Sequence, residues 1–465
     1  MPTSNDTTPD MTPDTIPDTS SEATPDTAPA TAPDTSSGTD TAPGTVSFPG
    51  TGGTDSGYRG TLKISVVSAL GLVPIEGAEV SVAYTGDPDS PILNLTTDSS
   101  GQTRIVTLPA PPLELSLDSD AEAQPYAEYT INVSAPGYEP VLVSGSEIFA
   151  NELSLQPIRM NPLEMTEEEK KIVVIGAHTL FGDYPPKIPE EEIKPLAETG
   201  EIVLNRVVIP EYIIVHDGVP SDSTASDYWV RYKDYIKNVA SCEIYSTWPE
   251  ATIYANILAI MSFTLNRVYT EWYRNQGYYF TITSSTAYDH KWIYGRNIFE
   301  NIDYLVDTIF ANYLSRPGVR QPIFTSYCDG RRVTCNGLSQ WGSKYLGDEG
   351  YSAIEIIRYY FGDDIYINTA DVISGVPSSY PGYSLSNGSA GEKVRQLQIQ
   401  LNRIARNYPA IPTITPDGIY GPATASAVRT FQSIFNLPQT GVTDYATWYE
   451  ISDIYVGVTR IAEPG

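Results

Sequence analysis

The sequence predicts a multidomain chain with an N-terminal disordered tether, a small antiparallel β-sandwich, a mixed α/β (α+β) middle domain and a C-terminal three-helix bundle. Three observations predict this division. Residues 1–57 have low complexity, residues 58–160 alternate apolar and polar side chains, and residues 389–455 repeat apolar side chains at helical spacing. The length of 465 residues also favours several domains, since one domain holds roughly 100–200 residues.

The first segment, residues 1–57, is built mainly from Thr, Pro, Asp, Ser and Gly. A loose Thr-Pro-Asp repeat occurs at 8–10, 12–14 and 24–26. Such a composition offers too little apolar area to offset the entropy lost on ordering. We therefore expect an extended, disordered tether.

The second segment, residues 58–160, shows the period of two that β-strands require. Leu62, Ile64 and Val66 fall on one face of a strand. Turn residues separate the runs, and the stretches at 75–80 and 97–101 resemble the carboxypeptidase-regulatory, transthyretin-like family. That resemblance implies a β-sandwich without catalytic residues.

The remaining boundaries follow from composition. Residues 161–207 form an acidic, Pro-containing connector with a helical patch near Glu167–Lys171, a joint that proteases could reach. Residues 208–368 form an aromatic-rich mixed α/β domain, and residues 369–388 are a Ser/Pro/Gly/Tyr linker. The helical module follows at 389–455.

Composition excludes several classes of function. The formal net charge of -29 argues against a nucleic-acid partner, because phosphates require a basic surface. We expect no signal peptide, because the first residues lack a basic start followed by an apolar core. We also expect no membrane-spanning segment, because no apolar stretch is long enough. The three cysteines and three histidines match no zinc-site spacing. We expect no metal and no cofactor, although Cys328 and Cys335 could be paired, metal-binding or free.

The C-terminal module carries the most specific motif. Leu397 and Leu401 lie at helical spacing and are followed by Asp417-Gly418-Ile419-Tyr420-Gly421-Pro422 and Thr424. These residues resemble the type 1 peptidoglycan-binding domain, which implies peptidoglycan glycan strands as the partner. Asp417, Tyr420 and Thr424 are the candidate binding residues, with the Tyr420 ring stacking on sugar or peptide. The apolar positions are expected to form the core.

The middle domain offers one candidate acid, Glu243. Ile236, Val239 and Glu243 fall at i, i+3 and i+7, which places the carboxyl on the apolar side of a short helix. Burial there is expected to raise the pKa of the Glu243 carboxyl toward that of a general acid. The alternative is a carboxylate at a helix end, held by a cap or a surface ion pair.

Two nearby patterns predict helix caps. Thr247 and Glu250 form an S/T-x-x-E capping box around Pro249, so Glu250 is interpreted as a cap and not as a catalyst. Ser352 and Glu355 form a second capping box. For a hydrolase that needs a second carboxylate, Asp289 is the nearest candidate in the sequence.

The span 210–366 resembles the stage-II sporulation protein D family of peptidoglycan lytic transglycosylases. The resemblance rests on Glu243, the following Trp248-Pro249 helix start and the loop Gly337-Leu338-Ser339-Gln340-Trp341-Gly342. It implies that Glu243 is catalytic and that Ser339, Gln340 and Trp341 bind substrate. Two positions depart from the family pattern: its helix Arg falls at Met261, and its His-Gly falls at Thr334-Cys335.

The order of domains resembles the clostridial germination-specific spore-cortex-lytic enzymes. This resemblance implies a precursor from which a subtilisin-like protease removes roughly residues 1–205. The protein is expected in the spore (cortex or coat), in the cell wall or outside the cell. One alternative is a non-catalytic peptidoglycan-binding structural protein. Another is an amidase or endopeptidase, which would need a zinc cluster or a Cys/His pair such as Cys242 and His290.

Overall fold

The computed structural model describes residues 57–69, 72–163, 170–194 and 206–459. The predicted tether at 1–57 lies outside these residues, apart from Gly57. The chain divides into two units, Met1–Gly44 and Thr45–Gly465, and the structural features below belong to the second. Among the described residues, no helix combines the length and apolar character needed to cross a membrane.

The β-domain consists of two facing sheets. Its strands are β1 (Arg59–Ser68), β2 (Glu79–Tyr84), β3 (Leu93–Thr96), β4 (Val106–Pro109), β5 (Ala127–Ser134), β6 (Val141–Ile148), β7 (Leu153–Met160) and β8 (Lys171–Val174). One sheet has the order β3-β2-β5-β6-β8, and the other contains β7-β1-β4. Leu62, Ile64 and Val66 are fully buried, as the period of two predicts.

Two strand pairs differ from the predicted antiparallel arrangement. β1 pairs with β7 in parallel, and β6 pairs with β8 in parallel. β8 comes from the predicted connector, so Lys171 belongs to a strand and not to a helical patch. The preceding part of that patch, residues 167–169, lies outside the described residues. Sequence alternation identifies strands but not their partners, because pairing is fixed by distant chain segments.

The middle domain has five helices surrounded by short strands. The helices are α1 (Tyr232–Glu243), α2 (Glu250–Tyr269), α3 (Glu300–Ile309), α4 (Gln340–Asp348) and α5 (Ala353–Phe361). The strands are β9 (Val208–Ile209), β10 (Tyr212–His216), β11 (Asp227–Arg231), β12 (Ile282–Thr283), β13 (Ile298–Phe299), β14 (Asn312–Ser315), β15 (Tyr327–Cys328), β16 (Leu338–Ser339), β17 (Tyr366–Thr369) and β18 (Val372–Ile373). Helix α2 is buried along most of its length, which explains its apolar character on all sides.

The β-domain and the middle domain share structure. β13 pairs antiparallel with β7, which extends a sheet of the β-domain into the middle domain. Arg296 and Glu147 form a fully buried ion pair across the boundary, with 2.7 Å between Nη2 and Oε2. Tyr126 and Phe149 of the β-domain belong to the hydrophobic core of the middle domain. Residues 58–160 and 208–368 therefore pack as one body.

The C-terminal module consists of α6 (Glu392–Ile404), α7 (Pro422–Ile434) and α8 (Tyr445–Thr459). Leu397, Val428 and Trp448 are buried, in agreement with their predicted core role. The module packs on the middle domain through α3 and α8. Lys233 of α1 contacts Glu450 and Asp453 of α8 at 2.6 and 2.7 Å.

One predicted helix cap is confirmed and the other is wrong. The Ser352 backbone N–H donates to Glu355 Oε2 at 2.8 Å, and both halves of that capping box are present. At the start of α2, Pro249 precedes the helix and no side chain caps it. Thr247 instead donates to Ser116 Oγ at 2.8 Å. A tertiary hydrogen bond has replaced the local cap.

Candidate active site and peptidoglycan-binding module

Glu243 is the last residue of α1 and is 4% exposed. Its Oε1 accepts from the Lys291 backbone N–H at 2.9 Å. Its Oε2 accepts from Thr179 Oγ1 at 3.2 Å and from Gln340 Nε2 at 3.3 Å. The predicted helix therefore places Glu243 inside the protein, where three separate chain segments hold its carboxylate.

A small cleft of about 90 Å³ opens at Glu243. Its lining includes Tyr184, Lys187, Glu243, Tyr327, Arg332 and Gln340. Burial, and then the negative charge of Glu243, raise the pKa of the Tyr327 phenol. The Lys187 ammonium lies 4.5 Å from the centre of the Tyr327 ring. The cleft thus combines three carboxylates (Asp183, Glu243 and Asp329) with an aromatic wall and two cations (Lys187 and Arg332).

The predicted loop contributes one residue to this site. Gln340 donates through Nε2 to the Glu243 backbone oxygen at 2.8 Å as well as to its carboxylate. Ser339 instead caps α4, accepting from the Gly342 N–H at 2.9 Å. Trp341 is buried against Trp248 with ring centres 5.0 Å apart. Ser339 and Trp341 therefore position the loop, and Gln340 reaches the candidate acid.

Residues 177–194, called the strap here, cover the cleft. Thr179 Oγ1 bridges the Cys242 backbone oxygen and the Glu243 carboxylate. His178 Nδ1 accepts a hydrogen bond from the Leu180 N–H at 3.2 Å. The ring proton therefore lies on Nε2, which donates to the Ile244 oxygen at 3.3 Å. Burial, and then the positive charge of Arg296, hold the pKa of His178 well below its usual range. A neutral imidazole thus fixes the strap beside Glu243.

A disulfide loop clamps the strap from the other side. Cys328 and Cys335, whose state the sequence left open, are bonded to each other. Between them, Arg332 donates to the backbone oxygens of Thr179, Phe181 and Gly182 at 2.7–2.9 Å. The same guanidinium donates to Asp329 at 3.0 Å. Residues 179–182 are therefore tied to the loop that the Cys328–Cys335 disulfide closes.

The far end of the strap is held by ion pairs. Glu190 forms a bidentate pair with Arg267 at 2.6 and 2.8 Å. Glu192 forms a second bidentate pair with Arg316 at 2.5 and 2.8 Å. Charge-assisted, two-point contacts of this kind are among the stronger polar interactions in proteins. Residues 177–194 of the predicted connector are thus an integral part of the folded unit.

Asp289 does not serve as a second acid. It is fully buried and accepts from Arg267 Nε at 2.7 Å, from Tyr273 OH at 2.6 Å, and from the backbone and hydroxyl of Thr283 at 2.9 and 2.7 Å. Its carboxylate is held by four donors and does not line the Glu243 cleft. Its role is to join α2 to β12.

Cys242 and His290 also do not form a nucleophilic pair. Cys242 is fully buried, burial raises the pKa of its thiol to about 12, and its sulfur lies 3.7 Å from Asn238 Oδ1. His290 lies 3.1 Å from Tyr235 OH through Nδ1. A thiol that is neutral near pH 7 and sealed from solvent is a poor nucleophile.

In the module, a buried glutamine organises the motif loop. Gln398 donates through Nε2 to Asp417 Oδ1, the Ile419 oxygen and Thr424 Oγ1 at 3.0–3.1 Å. Its Oε1 accepts from the Gly418 N–H at 2.8 Å. Gly418 has a φ of +78°, which favours glycine at this turn. Asp417 and Thr424 therefore shape the loop, and Thr424 is itself buried.

Tyr420 is not positioned to stack on a ligand. Its ring is fully buried, and its hydroxyl contacts the Gly441 oxygen at 2.9 Å and Thr443 Oγ1 at 3.2 Å. The neighbouring Ile419 is 59% exposed. The alternation of one side chain inward and the next outward at this turn corrects the predicted assignment of Tyr420.

A second glutamine repeats this arrangement, and sequence reasoning missed it. Gln432 donates to Thr440 Oγ1, the Val442 oxygen and Thr447 Oγ1 at 2.9–3.2 Å, and accepts from the Gly441 N–H at 2.8 Å. Gly441 has a φ of +70°. The signal was present: a Gln on a helix precedes Asp417-Gly418 in one case and Thr440-Gly441 in the other.

Comparison with known proteins identifies this module. Residues 390–451 match the family model described as a putative peptidoglycan binding domain. The zinc D-Ala-D-Ala carboxypeptidase of Streptomyces albus G is 46% identical over 69 residues, which cover 15% of this chain and 26% of that protein. The match thus spans about a quarter of the relative's length. The chain contains a type 1 peptidoglycan-binding domain.

Solved structures with partial similarity include GBS52, the minor pilin of Streptococcus agalactiae. It is 14% identical, with a TM-score of 0.17, and the match covers 24% of this chain and 47% of the pilin. The 5-hydroxyisourate hydrolase of Klebsiella pneumoniae is 18% identical, with a TM-score of 0.15 and coverage of 22% and 92%. Similarities at these TM-scores support no inference about this chain.

Proposed function

We propose that this chain is the precursor of a peptidoglycan lytic transglycosylase that binds the wall through residues 390–451 and cleaves glycan strands with Glu243. The observation that carries the proposal is the buried Glu243 carboxylate at the wall of a cleft, contacted by Gln340. The resemblance to the sporulation protein D family supports the same residues. Spore cortex is the proposed substrate on the basis of the domain order.

The chemistry needs one carboxyl group. Glu243 in its protonated form donates a proton to the glycosidic oxygen, and the bond from that oxygen to the anomeric carbon breaks. The 6-hydroxyl of the muramyl sugar then attacks the anomeric carbon, and its proton passes to the Glu243 carboxylate. The acid is thereby regenerated, and the product is a 1,6-anhydro sugar. Gln340 holds the carboxyl in place because its Nε2 contacts both the backbone oxygen and the side-chain oxygen of Glu243.

The strap accounts for why such an enzyme would be made as a precursor. Thr179 occupies a hydrogen-bonding position on Glu243 that a substrate or a water would need. Lys187 lies over the face of Tyr327, which removes an aromatic surface from use by a sugar ring. Cleavage between Lys194 and Arg206, the region that the resemblance indicates, would free one end of this segment.

The shared core changes how activation must work. The resemblance implies an independent mature fragment of residues 206–465. However, Tyr126 and Phe149 lie in the core of the middle domain, and Glu147 neutralises buried Arg296. Removing residues 1–205 before folding would leave that charge unpaired, a loss of several kcal/mol. We therefore propose that the chain folds intact and is cut afterwards, with the β-domain still packed on the middle domain.

The test is mass spectrometry of muropeptides released from cortex and from vegetative sacculi. A protease site is introduced between Lys194 and Arg206, and the folded chain is cut before the assay. The cut protein is expected to release anhydro-muramyl products, and its Glu243→Gln variant none. Glu250→Gln is the matched control, because Glu250 is exposed at the start of α2 and its loss should leave the product yield unchanged.

A non-catalytic wall or spore structural protein is the second candidate. It is favoured by Met261, which is fully buried where the family has an Arg, and by Cys335, which is committed to a disulfide. Under this alternative the cut chain binds sacculi and releases no products. The Glu243→Gln variant then binds equally well, and the middle domain acts as a scaffold.

A peptidase function, suggested by the name of the carboxypeptidase relative, fits this chain less well. The similarity lies in the C-terminal region, in 26% of that protein. In the part of the chain that the structure describes, no group of three His, Cys, Asp or Glu side chains is placed to hold a metal ion. The residues present therefore do not fit a zinc site.

A further inference from the structure

A cavity lies at the junction of the three folded domains, and its lining does not include the module's motif loop. Its volume is about 510 Å³, within the range of about 300–1,000 Å³ that small-ligand sites occupy. The β-domain contributes Arg159 and Lys171, the middle domain contributes Tyr228 and Trp292, and the module contributes Tyr408. The cavity therefore exists only when all three domains are assembled.

Aromatic rings form one wall of this cavity. Tyr228 lies 5.3 Å from Trp292 and 5.0 Å from Tyr294, measured between ring centres. Trp229, on the same strand β11, is 70% exposed and lies 6.3 Å from Tyr212. The exposed Trp229 ring therefore presents an open aromatic face at the cavity. Flat aromatic faces suit the apolar C–H face of a sugar ring.

Four residues that line the cavity each carry a buried polar atom with no hydrogen-bond partner among the described residues. The atoms are Trp292 Nε1, Arg296 Nε, Tyr232 OH and Glu211 Oε1. Two can only donate, one can only accept when ionised, and the hydroxyl can do both. Because buried polar groups are nearly always paired, these atoms favour an occupant that carries both donors and acceptors, as hydroxyl and acetamido groups do.

The charge of the lining limits the occupant further. It contains six cationic and five acidic side chains, so the charges nearly cancel. The cationic residues are Arg159, Lys171, Arg231, Lys233, Lys237 and Arg296, and the acidic residues are Glu211, Asp234, Asp303, Glu450 and Asp453. A polyphosphate or nucleic acid would need a strongly basic lining. An uncharged sugar, or one with a single carboxylate, matches the balance.

We infer that this cavity, the junction site, binds a short N-acetylated amino-sugar fragment of peptidoglycan. The inference rests on the peptidoglycan-binding part of the proposed function and not on catalysis by Glu243. The occupant contacts three domains at once, so its binding stabilises the assembled precursor.

The test is isothermal titration calorimetry on the full-length, uncut chain carrying Glu243→Gln, with the N-acetylglucosaminyl–N-acetylmuramic acid disaccharide as the probe. Trp229→Ala removes an exposed ring without opening the core, and Trp292→Phe removes one donor while keeping an aromatic ring. Each is expected to raise the Kd about tenfold or more, since tenfold corresponds to ~1.4 kcal/mol. Tyr279→Ala is the control, because Tyr279 is 89% exposed and does not line the cavity.

The comparison sugars are the N-acetylglucosamine disaccharide, which keeps the acetamido groups, and cellobiose, which lacks them. Binding of the first and not of cellobiose supports recognition of the N-acetyl groups. Unchanged binding in Trp229→Ala and Trp292→Phe overturns the proposal and leaves the module as the source of the heat. No binding of the muramyl disaccharide at millimolar concentration overturns it as well. Loss of activity in the muropeptide assay bears on Glu243 alone.

Discussion

The Glu243 cleft and the C-terminal module each bury a polar side chain, but they satisfy it differently. Gln398 uses its whole amide on residues of its own module, within 26 positions in the sequence. Glu243 takes its donors from Thr179, Lys291 and Gln340, which lie 48 to 97 positions away. The glutamine is part of a self-contained fold, whereas the carboxylate depends on segments that can separate.

This difference identifies the kind of role each residue has. A buried group with every partner in its own loop fixes the shape of that loop. A buried carboxylate contacted by a strap that is itself held by Arg332 and a histidine can change its environment when the strap moves. Burial alone does not distinguish the role of Gln398 from that of Glu243.

The largest effect that separates the two regions is expected at Gln398. Gln398→Ala leaves the Gly418 N–H without its acceptor and removes three donor contacts of the Gln398 amide, although the Ile419 oxygen keeps the Gly421 N–H. An unsatisfied buried group costs about 1–3 kcal/mol, so we expect the free energy of unfolding to fall by ~3 kcal/mol. Sacculus binding should fall with it. Chemical denaturation and a sacculus pull-down measure the two quantities.

Gln396→Ala on the same helix is the matched control and should change stability by less than about 0.5 kcal/mol. Glu243→Gln should lower stability more than this control, because its amide NH2 group replaces a carboxylate oxygen that accepts a hydrogen bond. If Gln398→Ala were as stable as the control, the self-contained character of the module would be wrong.

A smaller effect is expected from acid on the strap. The folded-state pKa of His178 is held well below its unfolded value of about 6.5. Below pH 6.5 the unfolded chain therefore binds a proton that the folded chain does not. Stability is full above that pH and falls as the pH is lowered, by about 1.4 kcal/mol per pH unit for this residue. Protonation would also displace the Leu180 N–H from Nδ1.

The measurement is the pH dependence of unfolding between pH 7.5 and 5 for the wild type and His178→Phe. In the variant, the slope of the unfolding free energy against pH is expected to fall by the contribution of about one proton. Hydrogen exchange at residues 178–182 should rise with acidification in the wild type. Parallel pH profiles for the two proteins would show that other groups cause the acid sensitivity.

The smallest effect is expected at Tyr420. Tyr420→Phe removes the hydroxyl bound to Gly441 and Thr443 but keeps the ring. The expected loss of stability is about 1 kcal/mol, with the affinity of the folded module for sacculi unchanged. Ile419→Asp, at the exposed neighbour, should instead weaken binding with little change in stability. The reverse pattern would restore the predicted stacking role of Tyr420.

Local patterns predicted much of the fold. The period of two at Leu62–Val66, the helical spacing through Leu397 and Leu401, and the box at Ser352–Glu355 appear as expected. The position of Glu243 inside the protein follows from its helical spacing with Ile236 and Val239. These features succeed because each depends on residues within a few positions of one another.

The failures share the opposite cause. Thr247 forms a hydrogen bond with Ser116, which is 131 positions away in the sequence. The predicted local cap therefore does not form. The parallel pairing of β1 with β7 and the β13–β7 pairing join segments that no local pattern relates. The strap's contact with Glu243 and the disulfide between Cys328 and Cys335 depend on the same long-range arrangement.

Neighbouring residues were enough to predict the peptidoglycan-binding module, the helix that buries Glu243 and the alternation of the β-domain, because periodicity and motif spacing are local properties. The three-dimensional fold was needed to show that Tyr420 is a core residue, that residues 177–194 cover the Glu243 cleft and that three domains enclose one cavity. Each of these depends on which surfaces meet, and the free energy of burial that selects those contacts is shared among segments far apart in the chain.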